Sequence, residues 1–176
     1  MRTRGWCGVA SAALVVAGGC ASGSSGWSEL GGPQATEMAI QEQAIRYVIS
    51  YYEPSSSAVP PQAYCVAVAR RSSNSVSRRN LDDTEIWIPN RRMVARLGDI
   101  EPGVVPASQC GRNDDVEVIY GDEEVPAVLI SVSRPRFASA DQATISVATS
   151  ESAVYSFRYS CDVVRNGFGW SVRRCI

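Results

Sequence analysis

Residues 153–175 read AVYSFRYSCDVVRNGFGWSVRRC, and this stretch does most to decide the fold. Apolar and polar residues alternate as far as Val164, and Asn166-Gly167 is a dipeptide that favours the tight turn of a β-hairpin. A returning strand is predicted from Trp170 to Cys175. The stretch therefore predicts two antiparallel strands, with Cys161 and Cys175 on neighbouring strands.

Other strands are predicted from short apolar runs and from partial alternation. They cover residues 63–69, 116–120, 127–133 and 143–148. A short helix is predicted over residues 89–97, because Pro89 suits a helix start and Gly98 a helix end.

A longer amphipathic helix is predicted over residues 33–53. Its apolar positions recur at helical spacing at Ile45, Val48, Ile49 and Tyr52. Its other face is predicted to be solvent-exposed and carries Glu37, Gln41, Glu42 and Arg46. The order of elements predicts an α+β fold in which a long N-terminal helix and a short second helix pack on one face of a curved antiparallel sheet.

The amino terminus has the pattern of an export signal. Arg2 and Arg4 precede an apolar run that is too short to span a bilayer. Residues 16–20 resemble a bacterial lipobox, in which small residues lead to a cysteine that is lipidated, here Cys20. The pattern predicts a signal peptide over residues 1–19, a lipidated Cys20 in a flexible tether over residues 20–32, and one domain over residues 33–176. The alternative is an ordinary secretory signal that is cut near Ala21-Ser22-Gly23, with Cys20 incidental.

Four more cysteines would lie in the exported domain, at positions Cys65, Cys110, Cys161 and Cys175. An even number in an exported chain indicates two disulfides, for which three pairings exist. We favour Cys161–Cys175, which flanks the hairpin turn, and Cys65–Cys110, which would tie the first strand to the segment after the second helix. The alternative is a zinc site with four thiolate ligands, although such sites favour closely spaced cysteine pairs.

The composition removes most enzymatic chemistry. The chain has no His and no Lys, which excludes His-dependent triads, His-containing zinc sites and Ser–Lys nucleophiles. Its acidic groups at residues 82–85, 114–117 and 122–124 lack the spacing of a calcium-binding loop. We therefore predict no catalytic residue, no cofactor and no metal site. The remote alternative is a hydrolase in which two carboxylates face each other across one cleft.

Aromatic residues form the one candidate ligand pocket. The set comprises Tyr47, Tyr51, Tyr52, Trp87 and Trp170. These side chains could line an apolar pocket between the first helix and the sheet. They could equally belong to the core of the domain.

Three segments resemble motifs of a known family. They are residues 64–68 (Tyr-Cys-Val-Ala-Val), residues 106–110 (Pro-Ala-Ser-Gln-Cys) and residues 166–172. They resemble the Tyr-Cys-Leu-x-Val strand, the Pro-x-Ser-x-Cys segment and the Gly-x-Trp-x-Val ending of a family of uncharacterised exported bacterial proteins. The ending is also similar to that of NTF2-like and cystatin-like domains. The resemblance implies a helix packed on a sheet and supplies no catalytic residue.

Removal of Arg2 and Arg4 with the signal would leave 15 of the 17 arginines against 18 acidic residues, a net charge of −3. This charge predicts no nucleic-acid partner. The sequence thus predicts a lipoprotein of the cell envelope, on the periplasmic or cell-surface side, that is anchored to a membrane and binds or scaffolds an envelope protein or small ligand. The alternative is a small-molecule-binding NTF2-like domain that descends from an enzyme.

Overall fold

The computed structural model describes residues 32–54, 59–69, 86–87, 91–115, 117–167 and 169–176. The predicted signal peptide, Cys20 and the predicted tether up to residue 31 lie outside these residues. The side chain of Trp87 also lies outside them, although its backbone is described. Within the described residues, no helix is both long enough and apolar enough to cross a membrane.

Two helices and ten strands make up the described part of the chain. The helices are α1 (Gly32–Ser50) and α2 (Arg91–Arg96). The strands are β1 (Ala63–Ala69), β2 (Ile86–Trp87), β3 (Val104–Pro106), β4 (Cys110–Arg112), β5 (Val118–Tyr120), β6 (Val125–Val132), β7 (Arg136–Ser139), β8 (Gln142–Ser150), β9 (Ser156–Asn166) and β10 (Gly169–Cys175).

Six of the ten strands form the main path of the sheet, in the order β10-β9-β8-β6-β1-β2. Of the other four, β3 pairs with β1, β7 with β8, β5 with β6 and β4 with β5. Strands β6, β8, β9 and β10 form the predicted antiparallel meander. Strand β1, however, runs parallel to both β6 and β3. The prediction of an antiparallel sheet is therefore wrong for this half, and the sheet is mixed. The physical reason is burial: residues 63–68 are all buried, which is typical of strands covered on both faces.

Side chains that alternate along β1 and β6 pack into two separate hydrophobic cores, one on each face of the sheet. The front face, which we define as the face that α1 covers, includes Val66 and Ile130 packed with Ile40 and Ile45 of α1. Met93 and Leu97, in and just after α2, join this same core. The prediction of a mixed fold with one long helix and a strand-rich sheet is therefore confirmed, and the number of helices agrees with it.

The back face of the sheet is covered by the segment that contains β4 and β5. Here Cys65 and Leu129 pack with Ala107, from a one-turn 3₁₀ helix, and with Val118 of β5. The front and back cores therefore cover both faces of β1 and β6 in the middle of the sheet.

Both predicted disulfides are confirmed. Cys65 of β1 is joined to Cys110 of β4 behind the sheet, and Cys161 of β9 is joined to Cys175 of β10 across the hairpin. Two disulfides are typical of a protein exported to an oxidising compartment.

The predicted exposure of α1 is wrong at two positions. Gln41 and Glu42 were expected to face solvent, yet they are only 1% and 2% exposed. The Gln41 amide donates a hydrogen bond to the carbonyl of Ser133, which follows β6. Glu42 is buried beside two arginines, so both polar side chains have partners that local helix periodicity does not reveal.

Candidate binding clefts

The structure brings some of the five aromatic candidates together and separates others. The rings of Tyr47 and Tyr51 lie 4.6 Å apart between centroids, with the ring of Tyr51 mostly exposed. Tyr52 instead packs edge-on against Tyr64 of β1, with centroids 6.3 Å apart. Its hydroxyl donates a hydrogen bond to the carboxylate of Glu151.

Trp170 lies elsewhere, in the front core. It is buried at the start of β10 and packs edge-on against Phe137 of β7, with ring centroids 6.1 Å apart. The remaining candidate, Trp87, has its side chain outside the described residues. The predicted set is thus distributed over at least three different contacts.

An open cleft of about 590 Å³ lies between the second half of α1, the start of β1, the segment after α2 and β10. We call it the tyrosine cleft. Its apolar and aromatic residues are Tyr47, Ile49, Tyr64, Ile100 and Val172. Its polar residues are Gln43, Arg46, Ser50, Glu101 and Ser171. Burial raises the pKa of the Tyr64 phenol, so this group is a protonated hydrogen-bond donor at neutral pH.

Arg46 at the rim of the tyrosine cleft belongs to a four-residue ionic network. Its two terminal nitrogens contact both carboxylate oxygens of Asp99, at 3.0 and 2.8 Å, and its Nε contacts Glu42 at 3.2 Å. One of the same nitrogens donates to the backbone carbonyl of Arg96. The hydrogen bond to Asp99 raises the pKa of Arg46, and the bonds from Arg46 hold the pKa of Asp99 below its ordinary value.

Arg96 of α2 also belongs to this network, because it donates hydrogen bonds to the buried carboxylate of Glu42. Its Nε lies 2.7 Å from one oxygen of Glu42, and a terminal nitrogen lies 3.2 Å from the other. Because Glu42 is on α1, the network fastens the short α2 to α1. In these contacts between described residues, two cations face two carboxylates, so Arg46 brings a fixed and paired charge to the tyrosine cleft.

A second, narrower cleft of about 260 Å³ lies where the segment after α1 meets β5, β6 and the turn after β8. We call it the proline cleft. Its apolar residues are Pro54, Val59, Pro61, Val118, Pro126, Ala127, Val128 and Tyr155. Its polar residues are Glu117, Glu151 and Ser152.

Among the described residues, each carboxylate of the proline cleft accepts a hydrogen bond from at least one neutral side chain. Glu151 accepts from the Tyr52 hydroxyl, and Glu117 is held by Asn113, whose side-chain oxygen also accepts from the backbone N–H of Glu117 at 2.9 Å. Two carboxylates in one cleft are also what the hydrolase alternative requires. In the described ranges, no three or more Cys, Asp or Glu side chains are placed to share a metal ion.

Exposed apolar side chains concentrate near the proline cleft. In the part of the chain that the structure describes, the large exposed apolar residues are Tyr51, Val59, Phe137, Val154, Tyr155, Phe157 and Ile176. Val59 and Tyr155 line the cleft, and Val154 and Phe157 lie within two residues of Tyr155. Exposed apolar surface of this kind marks sites of interaction.

Sequence reasoning missed the proline cleft altogether. The signals that could have found it are the prolines at positions 54, 60 and 61 and the apolar pair Val154-Tyr155 just before a strand. Comparison with known protein families, with characterised proteins and with solved structures found nothing that matches this chain.

Proposed function

We propose that this chain is a lipoprotein of the cell envelope, anchored through a lipid on Cys20, whose domain binds a partner near the membrane. The single observation that carries the proposal is the pair of disulfides, Cys65–Cys110 and Cys161–Cys175. Such bonds persist in oxidising compartments outside the cytoplasm. They leave Cys20 as the cysteine at the end of an export-like signal, in the position that a lipobox requires.

Binding is favoured over catalysis by the packing of the domain. The interface between α1 and the sheet is filled by fully buried side chains such as Ile40, Ile45 and Ile130. The two clefts are lined mostly by exposed or half-buried residues around this core rather than cut into its centre. The helix-on-sheet arrangement also supports the proposal of an NTF2-like or cystatin-like domain, although the parallel pairing of β1 with β6 departs from a purely antiparallel sheet.

Substitution Cys20→Ser tests the anchor. We expect the variant to lose the mass of its acyl chains and to move from the membrane fraction to the soluble fraction, because each buried methylene contributes about 0.8 kcal/mol to membrane binding. Mass spectrometry and fractionation of the expressed full chain measure both effects. The matched control is Cys7→Ser, which falls in the predicted signal peptide and should change neither. An unaltered mass and partition for Cys20→Ser would refute the anchor.

A second candidate function is the binding of a small molecule in the tyrosine cleft. Its volume of about 590 Å³ favours this function, since ligand sites typically measure about 300–1,000 Å³. We expect native mass spectrometry of the purified protein to show a bound small molecule, and Ser171→Trp, which would fill the cleft, to remove it. If the same added mass persists in Ser171→Trp, the ligand does not occupy this cleft.

A further inference from the structure

The proline cleft combines a rigid apolar wall with negative charge. Pro54, Pro61 and Pro126 have restricted backbones, so this wall loses little conformational freedom when it is covered. Glu117 and Glu151 provide two carboxylates, and no basic residue is among the described residues that line the cleft. Such a site matches a positively charged group on an apolar carrier.

The surroundings of the cleft strengthen this charge preference. Asp114 and Asp115 lie in the exposed turn before Glu117, and Glu53 is exposed next to Pro54. Glu117 is itself exposed, and its side chain accepts a hydrogen bond from the neutral amide of Asn113, so the carboxylate is oriented but still accessible to an incoming cation. Arg112 and Arg158 lie in the same segments, but the acidic residues outnumber them, so the local charge is negative although the whole chain is close to neutral.

The size of the apolar surface indicates a protein rather than a free small cation. The cleft itself, at about 260 Å³, is smaller than typical small-molecule sites of about 300–1,000 Å³. Yet Val154 and Phe157, which are 83% and 53% exposed, extend the apolar surface beyond the cleft along the chain that leads into β9. A lone amine would leave these residues uncovered, whereas a peptide segment could cover them.

We infer that the proline cleft is the docking site of a partner protein, which places an arginine or lysine side chain against Glu117 while apolar residues on either side of it cover Val59, Tyr155 and their neighbours. The inference deepens the proposed function by naming the chemistry of the partner. It does not depend on the lipid anchor.

The test uses two fluorescent peptides and the purified full chain in mild detergent. One probe is acetyl-Leu-Val-Arg-Val-Leu-amide, and the other carries citrulline, a neutral isostere, in place of arginine. Fluorescence anisotropy should show millimolar or tighter binding of the arginine peptide and about tenfold weaker binding of the citrulline peptide, because charge-assisted hydrogen bonds are roughly twice as strong as neutral ones.

Variants locate the site. Glu117→Gln and Tyr155→Ala should each weaken binding of the arginine peptide by about fivefold to tenfold. Glu123→Gln, in the turn between β5 and β6 and outside the residues that line the cleft, is the matched control and should bind like the unmodified chain. Absence of binding, equal binding of the two peptides, or an equal loss in Glu123→Gln would overturn the inference. Because the assay does not require Cys20, failure of the anchor and failure of the cleft are measured separately.

Discussion

Replacing Cys65 and Cys110 together by alanine should lower the free energy of unfolding by about 4 kcal/mol. The two cysteines are separated by 45 residues. In the chain-entropy model, a cross-link that closes such a loop lowers the conformational entropy of the unfolded chain, and this contributes about 4 kcal/mol to the free energy of unfolding. The double substitution avoids a lone free thiol in the back core. Urea denaturation in non-reducing buffer, followed by tryptophan fluorescence, measures the change.

The second disulfide provides the matched control for this prediction. Cys161 and Cys175 are separated by 14 residues, for which the same model gives about 3 kcal/mol. The Cys161→Ala/Cys175→Ala variant should therefore be the more stable of the two. The reverse order would mean that packing around the hairpin, and not loop closure, sets the contribution of these bonds.

Substitution Arg96→Met should lower the free energy of unfolding by about 2–3 kcal/mol, and Glu42→Gln by only about 1 kcal/mol. The asymmetry follows from burial. The side chain of Glu42 is 2% exposed, whereas those of Arg46 and Arg96 are 30% and 33% exposed. Removing Arg96 takes two hydrogen bonds from a buried carboxylate, but removing the charge of Glu42 leaves arginines that water can reach.

The magnitude for Arg96→Met lies below the roughly 3–5 kcal/mol expected when a buried charge loses its pairing completely, because Arg46 still contacts Glu42. Urea denaturation of both single variants and of the double variant measures the individual losses and the coupling between the two residues. A surface control is Arg174→Met, which removes an exposed pair with Asp162 and should cost less than about 1 kcal/mol. A larger loss in Glu42→Gln than in Arg96→Met would contradict the argument from burial.

The sequence was sufficient to predict the elements with strong local signals. The turn at Asn166-Gly167, the strand of residues 63–69 and both disulfides follow from spacing, turn chemistry and cysteine positions. The long helix is predicted through residue 53 but ends at Ser50. The N–H of Tyr51 is shared between the carbonyls four and three residues back, and the N–H of Tyr52 bonds to the carbonyl three residues back. Helix ends of this kind depend on the loop that follows.

Features that depend on distant segments were not predictable in the same way. Strands β2, β3, β4 and β7 have two to four residues, which is too short for alternation to be recognised. The parallel pairing of β1 with β6 had one usable signal, because both strands are nearly continuous apolar runs, but such runs do not specify strand direction. Burial of Glu42 depends on Arg96, which is 54 residues away in the chain.

The candidate sites show the same difference between local signals and features that depend on distant segments. Tyr47 was chosen for its position on the first helix, and it does line a cleft with Tyr64. The proline cleft could not be assembled from the sequence, because its walls come from the loop after α1, from β5 and β6, and from the turn after β8. Only the folded chain shows that the prolines and Glu117 face a common space.

The parallel pairing of β1 with β6 also sets the order in which the chain can fold. Tyr64 pairs with Val128 and Val68 with Val132, so β1 finds its main neighbour only about sixty residues later. A chain that crosses a membrane from its amino end would deliver this apolar strand well before β6 emerges, and long-range pairings of this type form slowly. During that interval the apolar β1 is exposed to aggregation.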